Sequence, residues 1–88
     1  MIIEKKITIK NKDGLHARPA ALFVQIANKY DCDINVVKGK QEVNGKSIMG
    51  IMMLAAGKGS VITVKANGDG AKDAMEELEK LLLGEIEE

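Results

Sequence analysis

The spacing of the apolar residues changes along this chain, and that change limits the possible folds more than any other feature. Near the start, Ile3, Ile7 and Ile9 lie on odd positions with charged residues largely between them. Alternation of this kind is typical of a β-strand with one buried face. After a turn-forming cluster at residues 11–14, the apolar residues take the spacing of one helix face, as shown by Ala20, Phe23, Val24 and Ala27.

The only proline of the chain indicates where this helix begins. Pro19 lacks an N–H group, and only the first turn of a helix has no intrahelical hydrogen bond to lose at such a position. The helix therefore begins at about Ala17 and ends near Tyr30, and His16 lies at or next to its N-cap.

The remaining segments continue the alternation of strands and helices. Period-two patterns predict three further strands and one hairpin turn, at residues 33–37, 41–43 and 60–66 and at residues 38–40. Ser47 is a favourable N-cap for a short helix over residues 47–54. The last helix has an apolar stripe that consists of Ala71, Ala74, Met75, Leu78, Leu81 and Leu82. The order βαββαβα predicts one α+β domain over residues 1–88, with three helices on one face of a four-stranded, mostly antiparallel sheet.

The composition argues against several classes of partner. The 88 residues include 13 basic and 13 acidic side chains, one tyrosine, one phenylalanine and no tryptophan. A chain with this balance lacks the basic surface that binds nucleic acid or an anionic membrane, and it lacks a platform on which bases stack. No apolar run approaches the length of a membrane span, and the start of the chain does not resemble a signal peptide. We therefore expect no nucleic-acid partner and no membrane insertion.

Cysteine and histidine usage bears on metal binding and on the compartment. The chain has one of each, Cys32 and His16, whereas zinc requires three or four protein ligands. A lone cysteine forms no internal disulfide, which indicates a reduced, cytoplasmic protein. A domain of this size has room for a docking site but not for a deep substrate cavity with a cofactor. We expect no metal and no cofactor, and a monomer is the simplest oligomeric state.

The segment DGLHARPAA carries the main candidate site. His16 lies where the N–H groups of a helix start have no partner, which makes the position suitable for an anion. Arg18 in the same turn opposes the helix dipole, and a bound anion would compensate for it. Neutral imidazole is a nucleophile, so His16 is a candidate to accept a phosphoryl group whose charge Arg18 and the N–H groups would offset. A surface or capping histidine is the simpler alternative.

The segments GLHARPAALFVQIANKY and VNGKSIMGIMMLAAGKGSVITVKANG resemble HPr, the family of histidine-containing phosphocarriers of the phosphoenolpyruvate:sugar phosphotransferase system. The resemblance covers essentially the whole chain. It implies an open-faced β-sandwich and a stoichiometric carrier without turnover of its own. It also implies that Nδ1 of His16 accepts the phosphoryl group from enzyme I, which phosphoenolpyruvate charges, and that the group passes to IIA units of sugar permeases. Arg18 matches the active-site arginine of the family.

The segment KSIMGIMML carries a second candidate site. By resemblance, Ser47 matches a serine that an ATP-dependent kinase/phosphorylase modifies in many Gram-positive members, and the modified form is a corepressor for a catabolite-control transcription factor. The apolar residues of this segment surround the helix, so a small sheet cannot bury all of them. We expect a docking patch for enzyme I and its acceptors formed by Leu22, Ile48, Met49, Met52 and Met53. Ile26 is a candidate to extend the patch, with Lys46 and Lys58 as charges at its rim.

Other functions stay open at this point. A mainly regulatory HPr-like protein would act through Ser47, and some paralogues of that kind lack the active histidine. The presence of His16 favours a carrier but is compatible with both roles. A carrier for a non-sugar phosphotransferase branch is a further alternative, against which the SIMG sequence argues mildly. The last alternative is a generic α+β adaptor that binds no phosphate.

Overall fold

A sheet of four antiparallel strands organises the fold. The computed structural model describes residues 2–85. The strands are β1 (Ile2–Thr8), β2 (Asp33–Lys38), β3 (Gln41–Asn44) and β4 (Val61–Asn67), and they lie in the order β1-β4-β2-β3. In the central pairings Ile7 lies opposite Ile62, and Val36 lies opposite Val64. The first strand of the chain thereby lies beside the last.

Three helices cover one face of this sheet: α1 (Ala17–Asn28), α2 (Ile48–Met53) and α3 (Ala71–Leu82). The core lies between the two layers. In β4, Ile62, Val64 and Ala66 are buried, whereas the residues between them are not. All six residues of the predicted stripe in α3 are buried. The α+β architecture predicted from the periodicity, an open-faced sandwich of order βαββαβα, is therefore confirmed.

The proline indicates the start of α1 correctly, but the helix is shorter than predicted. α1 begins at Ala17 with Pro19 in its first turn, and its N-cap His16 has extended backbone angles (φ −122°, ψ 153°). The helix ends at Asn28 rather than near Tyr30. The N–H groups of the next two residues bond to carbonyls three positions back, which tightens the last turn and ends the α-helix there.

One carboxylate connects the end of α1 to α3. The hydroxyl of Tyr30 donates a hydrogen bond to Oε1 of Glu77 (2.5 Å), and Nζ of Lys29 donates to Oε2 (2.6 Å). The hydrogen bonds from Lys29 and from Tyr30 lower the pKa of Glu77. The hydrogen bond to Glu77, partial burial and the charge of that carboxylate raise the pKa of Tyr30 to about 12. The fold therefore favours a neutral Tyr30 and an ionised Glu77.

Tyr30→Phe is expected to change how stability depends on alkaline pH. Because folding raises the pKa of Tyr30 above 10.0, its hydrogen bond contributes fully below pH 10 and is lost as the pH rises toward 12. The variant should be less stable than the parent protein at neutral pH, and this difference should shrink between pH 10 and 12. Urea unfolding of both proteins over that range measures it. A difference that stays constant would contradict the assignment of the shift to this hydrogen bond.

Candidate functional site

His16 and Arg18 lie on the exposed surface where α1 begins. His16 is the N-cap, but its side chain forms no capping hydrogen bond. Within residues 2–85, neither the imidazole nor the guanidinium forms a hydrogen bond or an ion pair. The first turn of α1 contains no acidic residue, so no carboxylate there offsets the charge of Arg18 against the helix dipole. Both side chains are available to a ligand that approaches the helix start.

The backbone between these two side chains is strained. Ala17 has φ +49°, a left-handed conformation that costs an L-residue about 1–2 kcal/mol. Its N–H and that of Arg18 are the donors of the helix start, because Pro19 has no N–H group. Strained residues persist where the surrounding structure enforces them, and they cluster at binding and catalytic sites. The helix start therefore combines free donors, a cation and a strained residue around His16.

A second loop holds the segment that precedes His16. The N–H of Leu15 donates to the carbonyl of Ala56 (2.8 Å), and the side chain of Leu15 is fully buried. Gly14 has φ +63°, and a Cβ at this position would lie 2.6 Å from Cα of Gly57. Two backbones meet here, and only glycine fits between them. The periodicity of the sequence does not indicate this second loop as part of the site; the run of small residues after the short helix is the signal for it.

Ser47 is the N-cap of α2, as the sequence predicts. Its Oγ accepts a hydrogen bond from the N–H of Gly50 (3.1 Å). The preceding Lys46 is bound to the end of α1, since its Nζ donates to the carbonyl of Tyr30 (2.6 Å) and its carbonyl accepts from Nδ2 of Asn28 (3.3 Å). These contacts tie the start of α2 to the end of α1. Lys46, a candidate for a charge at the rim of the docking patch, thus has its ammonium group hydrogen-bonded to α1's end.

Four apolar side chains of α2 are exposed, and we call them the apolar patch. Their exposed fractions range from 40% to 69%, and they are Ile48, Met49, Met52 and Met53. Ile51 and Leu54, by contrast, are buried. The short helix can place only one side against the sheet, so the remaining apolar residues face solvent. An exposed apolar surface of this kind is typical of a binding site for other proteins.

The expectation that Ile26 extends this patch is wrong. Ile26 is 7% exposed, because it belongs to the buried face of α1 together with Phe23 and Ala27. Leu22 is half-buried and packs against the core, and its part in docking stays a prediction. Lys58 is exposed. The apolar patch therefore consists of α2 residues, and Ile26 adds nothing to it.

Metal-binding clusters and membrane-spanning helices are absent from residues 2–85. No group of three histidine, cysteine or acidic side chains in this part of the chain could hold a metal ion. None of its helices has the length and apolar character needed to cross a bilayer. Cys32 is 1% exposed and packs in the core.

Comparison with known proteins identifies the family. The family model PTS-HPr, described as the PTS HPr component phosphorylation site, matches residues 3–83. The chain belongs to the HPr family. Two HPr-family relatives show its range. The HPr-like protein Crh of Halalkalibacterium halodurans is 51% identical over 77 residues, which is 88% of this chain and 92% of the relative. The phosphocarrier protein HPr of Neisseria meningitidis serogroup A is 45% identical over 83 residues, which is 94% of this chain and 93% of the relative.

Solved structures of the HPr family agree with the fold. The phosphocarrier protein HPr from Bacillus anthracis superposes with a TM-score of 0.89 at 48% identity, covering 92% of this chain and 96% of that one. Crh from Bacillus subtilis superposes with a TM-score of 0.77 at 41% identity, covering 98% and 99%. The Crh structure is described as a dimer with an unexpected swapping domain. The expectation of a monomer is therefore not supported.

Proposed function

We propose that this protein carries a phosphoryl group on His16 between phosphorylated enzyme I and the IIA units of sugar permeases. Nδ1 of the neutral imidazole attacks the phosphorus atom, a P–N bond forms, and the bond between phosphorus and enzyme I breaks. In the next transfer the imidazole is the leaving group and the acceptor takes the phosphoryl group. The protein returns to its starting state only after both transfers, so it acts as a stoichiometric carrier in the cytoplasm.

This proposal rests on the exposed start of α1, where the imidazole of His16 and the guanidinium of Arg18 form no hydrogen bond or ion pair with the described residues. A phosphoryl group on His16 would lie near the positive end of α1, where the N–H groups of Ala17 and Arg18 can donate to its oxygens. The guanidinium can add charge-assisted hydrogen bonds. The apolar patch supplies a surface on which different partners can dock, since methionine side chains adapt to different shapes.

Phosphoryl acceptance can be tested directly by intact-mass spectrometry. The protein is incubated with phosphoenolpyruvate and enzyme I, with and without a subsequent acid treatment. We expect the mass of one phosphoryl group to be gained and then lost in acid, because a P–N bond is acid-labile. Addition of a IIA unit should remove the group from the carrier. No mass gain with a competent enzyme I would contradict the carrier function, whereas a gain without onward transfer would contradict the sugar-permease branch.

Arg18→Ala is expected to slow transfer without destabilising the fold. A hydrogen bond to a charged group contributes about 1.5–3 kcal/mol, so the transfer rate should fall roughly tenfold to a hundredfold. The free energy of unfolding should not fall, because the guanidinium has no partner within residues 2–85 and opposes the helix dipole. Rapid-quench phosphotransfer and urea unfolding measure the two quantities. A loss of stability in Arg18→Ala would mean that the arginine has a structural role.

Regulation through Ser47 is the second part of the proposal. Relatives include the HPr-like protein Crh, and the Bacillus subtilis Crh is described as a catabolite repression protein. Ser47 is an N-cap beside the apolar patch, so a phosphate on its Oγ would place negative charge at the edge of the docking surface. A serine kinase/phosphorylase and a catabolite-control repressor would be the partners of this form.

Ser47→Asp is expected to weaken docking on enzyme I. Aspartate caps helices as well as serine does, so α2 should persist. Its carboxylate would lie next to Ile48 and lose water when the apolar patch is covered, and removing an ionised carboxylate from water costs more than removing the neutral serine hydroxyl. We expect the KM of enzyme I for this protein to rise roughly tenfold. Ser47→Asn is the matched control, since it keeps the cap and the shape without the charge; an equal rise in KM for Ser47→Asn would contradict the electrostatic explanation.

A further inference from the structure

Two side chains of the β2–β3 hairpin donate hydrogen bonds to backbone carbonyls at the end of α2. Lys38 and Gln41 lie directly opposite each other in the register of the two strands. Nζ of Lys38 donates to the carbonyls of Leu54 (3.2 Å) and Ala55 (3.5 Å). Nε2 of Gln41 donates to the carbonyl of Met53 (3.4 Å). The last carbonyls of a helix lack intrahelical partners, and a cation there is favourable. α2 has no basic residue in its own last turn, so the sheet supplies the cation.

The segment whose carbonyls bind Lys38 is followed directly by Ala56, which contacts the loop before His16. Ala55 has φ +49°, so the chain leaves α2 through a strained left-handed residue that its surroundings must enforce. The carbonyl of the next residue, Ala56, accepts the N–H of Leu15 (2.8 Å). Leu15 immediately precedes His16. The ammonium group is therefore connected to Leu15, the residue before His16. The connection runs through its hydrogen bond to the carbonyl of Ala55, the strained backbone of Ala55 and the hydrogen bond between Leu15 and Ala56.

We propose that Lys38 is a positioning residue for His16 and that it acts through the carbonyl of Ala56. This role rests on the proposed phosphocarrier function. With the ammonium in place, Ala55 is kept in its left-handed conformation and the Ala56 carbonyl stays aimed at Leu15. Without it, the end of α2 loses its cation and the strain at Ala55 is free to relax, so the segment before His16 loses its fixed support.

Three variants test whether the effect requires a cation at position 38 and whether another lysine of the hairpin has the same effect. Lys38→Met removes the three N–H donors and keeps an alkyl chain. Lys38→Arg restores a cation with donors. Lys40→Met is the matched control, because Lys40 lies in the exposed turn of the same hairpin and has no hydrogen-bond or ion-pair partner among the described residues. The readouts are amide hydrogen exchange at Leu15 and the kcat and KM of phosphoryl transfer from phosphorylated enzyme I.

In Lys38→Met we expect Leu15 to exchange about tenfold faster, as for the loss of one hydrogen bond to a charged group. We expect kcat to fall about tenfold with KM unchanged, because the apolar patch is retained. Lys38→Arg should restore both values, and Lys40→Met should alter neither. Unchanged exchange in Lys38→Met, or an equal fall of kcat in Lys40→Met, overturns the proposal. If the parent protein accepts no phosphoryl group, the carrier function fails, and the exchange rate of Leu15 still reports separately whether Lys38 holds the loop.

Discussion

His16→Ala is expected to accept no phosphoryl group from enzyme I. The chain has a single histidine, so no second imidazole can replace it. The fold should be unaffected, because the side chain is exposed and forms no capping hydrogen bond in α1. Intact-mass spectrometry after incubation with phosphoenolpyruvate and enzyme I measures the acid-labile phosphoryl group, and urea unfolding measures the stability of the variant beside the parent protein.

Lys12→Ala is the control for this experiment. Lys12 is an exposed residue of the loop that precedes His16, without a hydrogen-bond or ion-pair partner in the described part of the chain. It should keep full acceptance. Acid-labile phosphate on His16→Ala would show that another residue is the acceptor. A large loss of stability in His16→Ala would instead indicate that the histidine is structural, which the absence of any capping bond argues against.

Periodicity predicts the layers of this fold because each element has one apolar face that must be buried. The inward residues of β4 and α3 lie where the spacing of apolar residues places them. The start of α1 follows from Pro19, and the cap of α2 follows from Ser47. The position of His16 and Arg18 at an exposed helix start could be predicted from Pro19, whereas their chemistry stays a proposal. These features depend on neighbours in the sequence.

The features that the sequence did not reveal depend on contacts between distant segments. The hydrogen bond from Leu15 to Ala56 joins two backbones, and no side-chain pattern marks such a contact. Lys38 lies at the end of a strand, where a lysine is normally solvated, yet its alternation with Val36 turns it toward α2. The burial of Ile26 results from the way α1 lies across the core. Helical spacing alone does not determine whether a residue at the edge of an apolar stripe is buried or exposed.

Gly14→Ala is expected to be the most destabilising single substitution near the site. Gly14 has φ +63°, where an alanine costs about 1–2 kcal/mol. The added Cβ would also lie 2.6 Å from Cα of Gly57 and 2.7 Å from the carbonyl oxygen of Ala56. Both contacts are with backbone, so neither can be relieved by a change of rotamer, and overpacking of this kind costs about 1–3 kcal/mol more. We expect the free energy of unfolding to fall by about 2–5 kcal/mol.

Gly39→Ala separates the two causes of this loss. Gly39 has nearly the same backbone angle, φ +60°, but a Cβ there would have no atom within 4 Å. It should therefore show only the conformational cost of about 1–2 kcal/mol. The difference in the free energy of unfolding between the two variants, measured by urea unfolding, gives the energetic cost of the close backbone contact at Gly14. The close approach at Gly14 brings Leu15 within hydrogen-bond distance of Ala56. The folded fraction of Gly14→Ala should therefore also transfer phosphoryl groups more slowly, whereas Gly39→Ala should transfer them at the parent rate. Equal losses of stability in the two variants would mean that the backbone of the second loop does not closely contact the segment before His16.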